Sequence, residues 1–127
     1  MSEKIVSQCE IKSLKLPGRS LQWVVTPETI GSEKLSINIM NCPNHSAVKS
    51  LHSHKDVEEV IFILEGEGEA WVDGELGKFK KGDSVLFPAN SKHQVRNTGN
   101  SELITVCVFS SSNASDSYVN YKENMFE

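Results

Sequence analysis

Apolar and polar residues alternate along several short segments of this chain. The clearest alternation covers residues 35–40, where Leu35, Ile37 and Ile39 are separated by small polar residues. Three further runs are rich in β-branched or aromatic residues, at residues 60–64, 84–87 and 103–109. Alternation with a period of two and short apolar runs between turn residues are typical of β-strands. We therefore predict strands at these four places.

Turn residues separate these segments. Asp73-Gly74 lies between two strand-like flanks and predicts a β-hairpin, and residues 80–83 predict another turn. No stretch of about ten residues combines helical periodicity with capping residues, so we expect helix only as short turns, around residues 27–29 or in the carboxy-terminal tail. Many short strands at turn spacing predict an all-β fold, a single antiparallel β-barrel or jelly roll.

The length of 127 residues suits one domain with a single hydrophobic core. We expect a core barrel over residues 20–110, a polar loop over 110–117 and a tail over 118–127 that can cover a barrel mouth or a partner subunit. The apolar members of the predicted strands are expected to line the core. They are Leu35, Ile37, Ile39, Ile61, Ile63, Val85, Phe87, Val95 and part of 103–109.

Composition and charge argue against several classes of function. The net charge of −4, and a content of arginine limited to Arg19 and Arg96, argue against nucleic-acid binding. No apolar segment approaches the roughly 20 residues of a membrane helix, and the amino terminus lacks the apolar region of a signal peptide. Cys9, Cys42 and Cys107 are widely spaced and unpaired in sequence, which predicts reduced thiols and a cytoplasmic location.

Three of the four histidines have the spacing of metal ligands. His52 and His54 are two residues apart, so on a strand both rings point to the same face. His93 comes from a separate hairpin that begins after Pro88, a residue that ends a strand. The segment after His54 offers a carboxylate ligand as well. The alternation of side chains along a strand does not decide whether this ligand is Glu58 or Glu59. Imidazole and carboxylate together suit first-row divalent metals.

Around these residues the chain resembles the cupin family. The first cupin motif, His-x-His, three or four residues, Glu, six residues, Gly, resembles the run from His52 to Gly66. The second, Gly, five residues, Pro-x-Gly, two residues, His, three residues, Asn, resembles the run from Gly82 to Asn97. Two positions differ, since Ser46 and Asn90 stand where the family usually has glycine. Neither position donates to the metal, and Asn90 can still adopt a positive φ.

The resemblance implies a small antiparallel barrel with a metal inside. It selects Glu59 over Glu58, so His52, His54, Glu59 and His93 are the expected ligands of one divalent transition metal ion, iron, manganese, nickel or zinc. It also implies a homodimer built through exchanged or abutting edge strands, which would protect an exposed sheet edge.

Three functions are compatible with the sequence. The first is a metalloenzyme, a dioxygenase, decarboxylase or related enzyme, acting on a small organic molecule, with Glu59 doubling as a general base. The second is a non-catalytic barrel that binds or senses a small molecule. The third, a sugar isomerase or epimerase, is disfavoured because a phosphate group calls for clustered basic residues.

Several other residues are expected to have structural or surface positions and no role in the metal site. His45 is expected in a loop, Trp71 in the barrel wall, and Arg96 on the outward side of its strand. The acidic series Glu65, Glu67 and Glu69 is interpreted as a solvated turn, because glycines separate its members.

Overall fold

The computed structural model describes residues 3–126, so residues 1, 2 and 127 of the predicted domain lie outside the described part. Strands dominate that part, and helix is confined to α1 (Pro27–Ile30) and two single 3-10 turns at Gln8–Glu10 and Ala114–Asp116. The strands are β1 (Leu14–Leu16), β2 (Arg19–Val25), β3 (Ser36–Cys42), β4 (His52–His54), β5 (Glu59–Glu65), β6 (Glu67–Val72), β7 (Glu75–Lys80), β8 (Ser84–Phe87), β9 (His93–Asn97), β10 (Leu103–Phe109) and β11 (Tyr118–Asn120).

These strands form two antiparallel sheets. The six-stranded sheet has the order β1-β2-β3-β10-β5-β8, and the five-stranded sheet has the order β11-β4-β9-β6-β7. Buried side chains of both sheets share one hydrophobic cluster, in which Ile61 and Phe109 of the first sheet join Phe79 and Val95 of the second. The all-β jelly roll predicted from the sequence is therefore confirmed, although the described strands form two separate sheets and not a closed barrel.

The predicted turns and strands lie close to the observed ones. β8 and β10 coincide with the predicted segments, and β3 and β5 differ from theirs by one or two residues at the ends. The predicted hairpin joins β6 to β7, with Asp73 at φ 44° and Gly74 at φ 97°. Positive φ at both central residues is the signature of the turn that best matches the strand twist. β1, β2 and β11 were not predicted, and of these β1 and β11 have only three residues, too few to show alternation.

The predicted burial of β3 was wrong. Ser36, Asn38, Met40 and Cys42 point inward and are buried, and the isoleucines between them are only partly buried on the outer side. Leu35 precedes the strand and is 42% exposed. Alternation predicted the strand correctly, but both of its faces carry apolar residues, so sequence could not tell which face is internal.

The prediction that the acidic series forms a solvated turn was wrong at Glu69. Glu69 lies within β6 and is buried, and its carboxylate accepts hydrogen bonds from Arg96 Nε at 2.7 Å and Nη2 at 2.5 Å. The Arg96 guanidinium in turn lies over the Phe126 ring at 4.7 Å. Arg96 does face away from the core as predicted, but an ion pair between the buried Glu69 carboxylate and the partly exposed Arg96 guanidinium replaces the predicted solvated turn at Glu69.

The carboxy-terminal tail packs on its own chain. β11 pairs antiparallel with β4, with Tyr118 opposite His54 and Asn120 opposite His52. Farther along the tail, Asn124 accepts a hydrogen bond from the buried Gln94, and Phe126 is buried. The tail therefore supports the two histidines of β4 from the side.

Within residues 3–126, no helix has the length and apolarity needed to cross a membrane.

Candidate metal centre

Three histidines converge in the core between the sheets. β4 carries His52 and His54, and His93 begins β9, directly opposite His52 in the strand pairing. One ring nitrogen from each histidine lies within 4.8 Å of the others, and all three residues are buried. The His-x-His spacing therefore brings both rings to one face, as predicted.

Hydrogen bonds at Nδ1 fix the tautomer of each ring. His52 Nδ1 lies 2.9 Å from the carbonyl oxygen of Ser50, and His93 Nδ1 lies 3.0 Å from that of Ser91. A carbonyl oxygen only accepts, so in the neutral ring the proton sits on Nδ1 and Nε2 keeps its lone pair.

The same logic holds for His54. Its Nδ1 lies 3.1 Å from Ser117 Oγ, which itself donates its hydrogen to the carbonyl oxygen of Ala114 at 2.5 Å. Because that hydroxyl proton is committed to Ala114, Ser117 accepts from His54 Nδ1. All three imidazoles are thus oriented with an Nε2 lone pair available to a cation.

Glu59 completes the cluster. Its Oε1 atom lies 3.2 Å from His54 Nε2 and 3.5 Å from His93 Nε2. Both nitrogens are buried and have no hydrogen-bond partner among the described residues. An oxygen and two nitrogens that all present lone pairs repel one another unless positive charge lies between them. The donor set therefore fits a metal ion.

Burial and neighbouring charge together set the protonation states of His52 and Glu59. Burial, reinforced by the neighbouring histidines, lowers the pKa of His52 to about 3. Burial alone would raise the pKa of Glu59, but positive charge at its contacts with His54 and His93 outweighs burial and lowers that pKa. Neutral imidazole and ionised carboxylate are the forms that bind metals, and these shifts keep His52 and Glu59 in them at neutral pH.

A small cavity of about 30 Å³ adjoins the cluster. Most of its wall is apolar, and this part consists of Leu21, Met40, Val48, Ile61, Phe87 and Val95. Polar groups reach it as well, notably Arg19, Asn38, Cys107 and Tyr118. Because a water molecule needs roughly 10 to 15 Å³ by this measure, the space admits only a few small groups beside a metal.

The two candidate carboxylates, Glu58 and Glu59, have different environments in the structure. Glu59 is buried at the cluster, and Glu58 is exposed. Asn90 adopts φ 67°, the positive value expected where the family motif has glycine, and its side chain bonds to Asp56. His45 is an exposed loop residue, and Trp71 lies partly buried in β6.

Sequence reasoning missed three residues of this region: Arg19, Ser117 and Tyr118. Ser117 lies in the polar stretch interpreted as a surface loop, and Tyr118 begins the tail strand. No local signal marks either of them, because their role depends on the tail folding back beside β4. Arg19 gave a weak signal as one of only two arginines in the chain.

Comparison with known proteins agrees with this geometry. A family model described as a cupin domain matches residues 38–109. An uncharacterised protein of Methanocaldococcus jannaschii is 40% identical over 57 residues, covering 45% of this chain and 46% of that protein. The polyketide synthase CurC of Streptomyces cyaneus is 29% identical over 104 residues, covering 80% and 66%. An oxalate-binding protein of Thermotoga maritima is 36% identical over 64 residues, covering 50% and 52%. The chain thus spans between about half and two thirds of the length of these relatives.

Solved structures share the architecture. A predicted oxalate decarboxylase from Thermotoga maritima has a TM-score of 0.74 at 24% identity, covering 84% of this chain and 98% of that chain. The oxalate decarboxylase of Lactobacillus farciminis, in a formate complex, has a TM-score of 0.78 at 18% identity, covering 88% and 34%. At these identities the likeness concerns the fold alone. The family match covers more than half of the sequence and the fold agrees with it, so this chain belongs to the cupin family.

Proposed function

We propose that this protein is a metalloenzyme that acts on a small organic molecule, as a dioxygenase, decarboxylase or related enzyme. One divalent transition metal ion would be held by His52, His54, Glu59 and His93. The observation that carries the proposal is the convergence of three imidazoles, each with Nδ1 engaged, on one buried carboxylate. At the centre of this set, the lone pairs of the imidazole nitrogens and the carboxylate oxygen face one another with no hydrogen bond between them. A bound cation would remove their mutual repulsion.

The bound ion, its ligands and the apolar wall of the cavity would have different roles in catalysis. A bound iron, manganese, nickel or zinc ion would supply Lewis acidity and, for the redox-active metals, electron transfer. The three histidines would hold the ion through their Nε2 lone pairs, while Glu59 would contribute negative charge and could accept a proton from a substrate. The apolar wall restricts water around the reacting groups.

A second candidate function is capture of a small molecule without chemistry. It is favoured by the relative from Thermotoga maritima that is described as an oxalate-binding protein. The two candidates differ in one observable. An enzyme converts its ligand in a metal-dependent way, and a binding protein releases it unchanged.

We also propose that the chain forms a homodimer in a reducing, cytoplasmic environment. The three cysteines are free, which supports the compartment. The dimer is supported by the outer face of the six-stranded sheet, where Phe62 is 41% exposed and Leu86 50% exposed. Val106 lies between Ile39 and Phe62 in the strand pairing, so these apolar side chains form a continuous row.

The size of this outer face suits the centre of a dimer interface. Three strands of seven residues and the four-residue β8, about 4.8 Å apart at about 3.4 Å per residue, cover roughly 400 Å². A standard interface buries about 800 Å² on each partner and has an apolar centre with a polar rim. Since the exposed apolar row lies on a sheet face, we propose contact through that face instead of the edge-strand contact expected from the family resemblance.

Elemental analysis of untagged protein, purified without chelators, tests the metal centre. We expect about one transition metal ion per chain in the wild type and in His45→Ala, which removes the exposed loop histidine. His93→Ala should lose the metal, because its ring supplies one of three nitrogen ligands. Full metal content in His93→Ala, or no metal in the wild type, would refute the proposed centre. Metal-loaded protein is then assayed for oxygen uptake and carbon dioxide release with small acids and diols.

A further inference from the structure

We propose that Arg19 binds the carboxylate of a substrate whose apolar body lies in a groove between the two sheets. This inference rests on the proposed function, because it places the ligand beside the metal centre. It specifies the substrate as a carboxylic acid with an apolar or aromatic body, and it makes Arg19 a specificity-determining residue.

The groove opens where the two sheets end. β1 is the edge strand of the six-stranded sheet, and β11 is the edge strand of the five-stranded sheet. Residues of both edges line a volume of about 560 Å³, large enough for a small organic ligand. Arg19, Leu21 and Tyr118 line this groove and also the small cavity at the histidines, so the two spaces are adjacent.

Arg19 is held rigidly at that junction. Its Nη1 atom donates to the carbonyl oxygens of Lys49 at 2.7 Å and Pro17 at 3.2 Å, and the residue is only 8% exposed. The preceding Gly18 has φ 80°, and a Cβ atom there would lie 1.8 Å from the carbonyl oxygen of Ala47. Glycine therefore allows the close approach of the two segments that positions Arg19.

The arginine retains donors for a ligand. A guanidinium group carries five N–H donors, and the two carbonyl contacts of Nη1 leave Nε and Nη2 for the neighbouring Tyr118 hydroxyl and for a bound anion. A guanidinium presents these donors in a planar fork that matches a carboxylate.

Charge around the junction favours an anion. The whole chain has a net charge of −4, yet the charged residues that line the groove are Arg19 and Lys49, with no acidic residue among the described lining. The inner cavity adds Glu59. With a divalent ion bound, Glu59 and Arg19 cancel each other and two positive charges remain in a buried space, which an anionic ligand would reduce.

One wall of the groove is apolar, and its outer part is exposed. Leu14 is 47% exposed and Leu16 is 39% exposed, and with Trp23 and Leu21 they form one wall. A ligand that was only a compact anion would leave this wall uncovered. The combination of a buried cation at the inner end and leucine and tryptophan side chains outside fits a carboxylate attached to an apolar body.

Binding of phenylacetate to the metal-loaded protein tests the inference. Isothermal titration measures its affinity, with 2-phenylethanol as the uncharged analogue and acetate as the carboxylate without an apolar body. We expect phenylacetate to bind more tightly than either. Arg19→Met should weaken phenylacetate about tenfold or more and leave 2-phenylethanol unchanged, because only the charged hydrogen bonds are lost. Lys78→Met, on the solvent-exposed side of β7, is the control for loss of a positive charge.

A second pair of variants covers the case in which Arg19→Met does not fold. Leu14 is exposed at the groove, so Leu14→Glu and Leu14→Lys should fold and change only the local charge. We expect Leu14→Glu to weaken phenylacetate several-fold and Leu14→Lys to strengthen it. Leu76→Glu adds the same charge at an exposed leucine on β7, away from the groove, and should have no effect.

The outcomes separate the two proposals. Equal affinity for phenylacetate and 2-phenylethanol, or unchanged phenylacetate binding in both Arg19→Met and Leu14→Glu, would overturn the role of Arg19 even if the protein contains its metal. Phenylacetate binding that depends on Arg19 in a protein without metal would support the groove and refute the metal centre. Metal content of each variant is measured alongside, and Arg19→Met should retain it because Arg19 is not a ligand.

Discussion

Individual hydrogen bonds decide what the three histidines can bind. A neutral imidazole with its proton on Nδ1 is a donor on one side and a ligand on the other. Two of the Nδ1 partners are backbone carbonyl groups two residues earlier in the chain, at Ser50 and Ser91. The third is the Ser117 hydroxyl, contributed from 63 residues away. The orientation of His54 is therefore the one that a single side-chain substitution can disturb.

Ser117→Ala should weaken metal binding about 10- to 100-fold, as is typical when the partner of a metal-ligating histidine is lost. Competition with a metal chelator measures the affinity. Ser117→Thr keeps the hydroxyl and should restore the affinity, whereas Ser115→Ala, which removes a nearby exposed hydroxyl, should leave it unchanged. Wild-type affinity in Ser117→Ala would mean that the hydrogen bond does not control the ligand.

At the scale of elements, the centre depends on a very short strand. β4 has three residues, two of them histidines, and it is held by β9 on one side and β11 on the other. The backbone bonds Lys55 N–H to Ser117 and Tyr121 N–H to Leu51 mark alternate positions of the β4–β11 ladder. By that alternation, Val119 and Ser53 form the hydrogen-bonded pair between them.

Val119→Pro should therefore destabilise the protein by about 1 to 3 kcal/mol, because it removes a ladder donor and leaves the buried Ser53 carbonyl unsatisfied. Val119 is 40% exposed, so loss of its side chain alone should matter little. Denaturant unfolding measures the change, and Val119→Thr, which keeps the N–H group, is the control. We also expect weaker metal binding in Val119→Pro. An unfolding free energy equal to that of the control would exclude a structural role for β11.

The orientation of β3 shows the limit of pattern analysis at this scale. Alternation over residues 35–40 predicts a strand and also predicts that its isoleucines are internal. In the structure Asn38 and Met40 face the cavity, since they line the metal side of the sheet, and Ile37 and Ile39 face outward. Both faces of this strand carry apolar residues, so alternation could not decide which of them is internal.

At the scale of the whole molecule, the outward isoleucines join a larger apolar surface. The row that includes Ile37 continues through Val108 and Val60 to Leu86 across four strands. Isolated apolar side chains on a surface need no explanation, but a continuous face across neighbouring strands marks an association site.

Phe62→Lys should convert the proposed dimer to a monomer, because it places a charge at the centre of that face. Light scattering after size-exclusion chromatography measures the molar mass, which should fall from about twice 14.1 kDa to a single chain. Leu76→Lys, at an exposed leucine on the other sheet, should remain a dimer. A wild-type protein that is monomeric at all concentrations would refute the dimer, and a dimeric Phe62→Lys would place the interface elsewhere.

The sequence by itself determined the strand content, the hairpin at Asp73-Gly74 and the grouping of His52, His54 and His93, because turn chemistry and strand periodicity are local properties. Sequence position also led to Glu59, through the spacing to Gly66 in the family motif. Tertiary structure alone decided which face of β3 is internal, that the tail supplies Ser117 and Tyr118, and that Arg19 lies at the mouth of the cavity. These depend on which segments meet across the two sheets, and contacts between residues far apart in the chain leave no periodic signal in a single sequence.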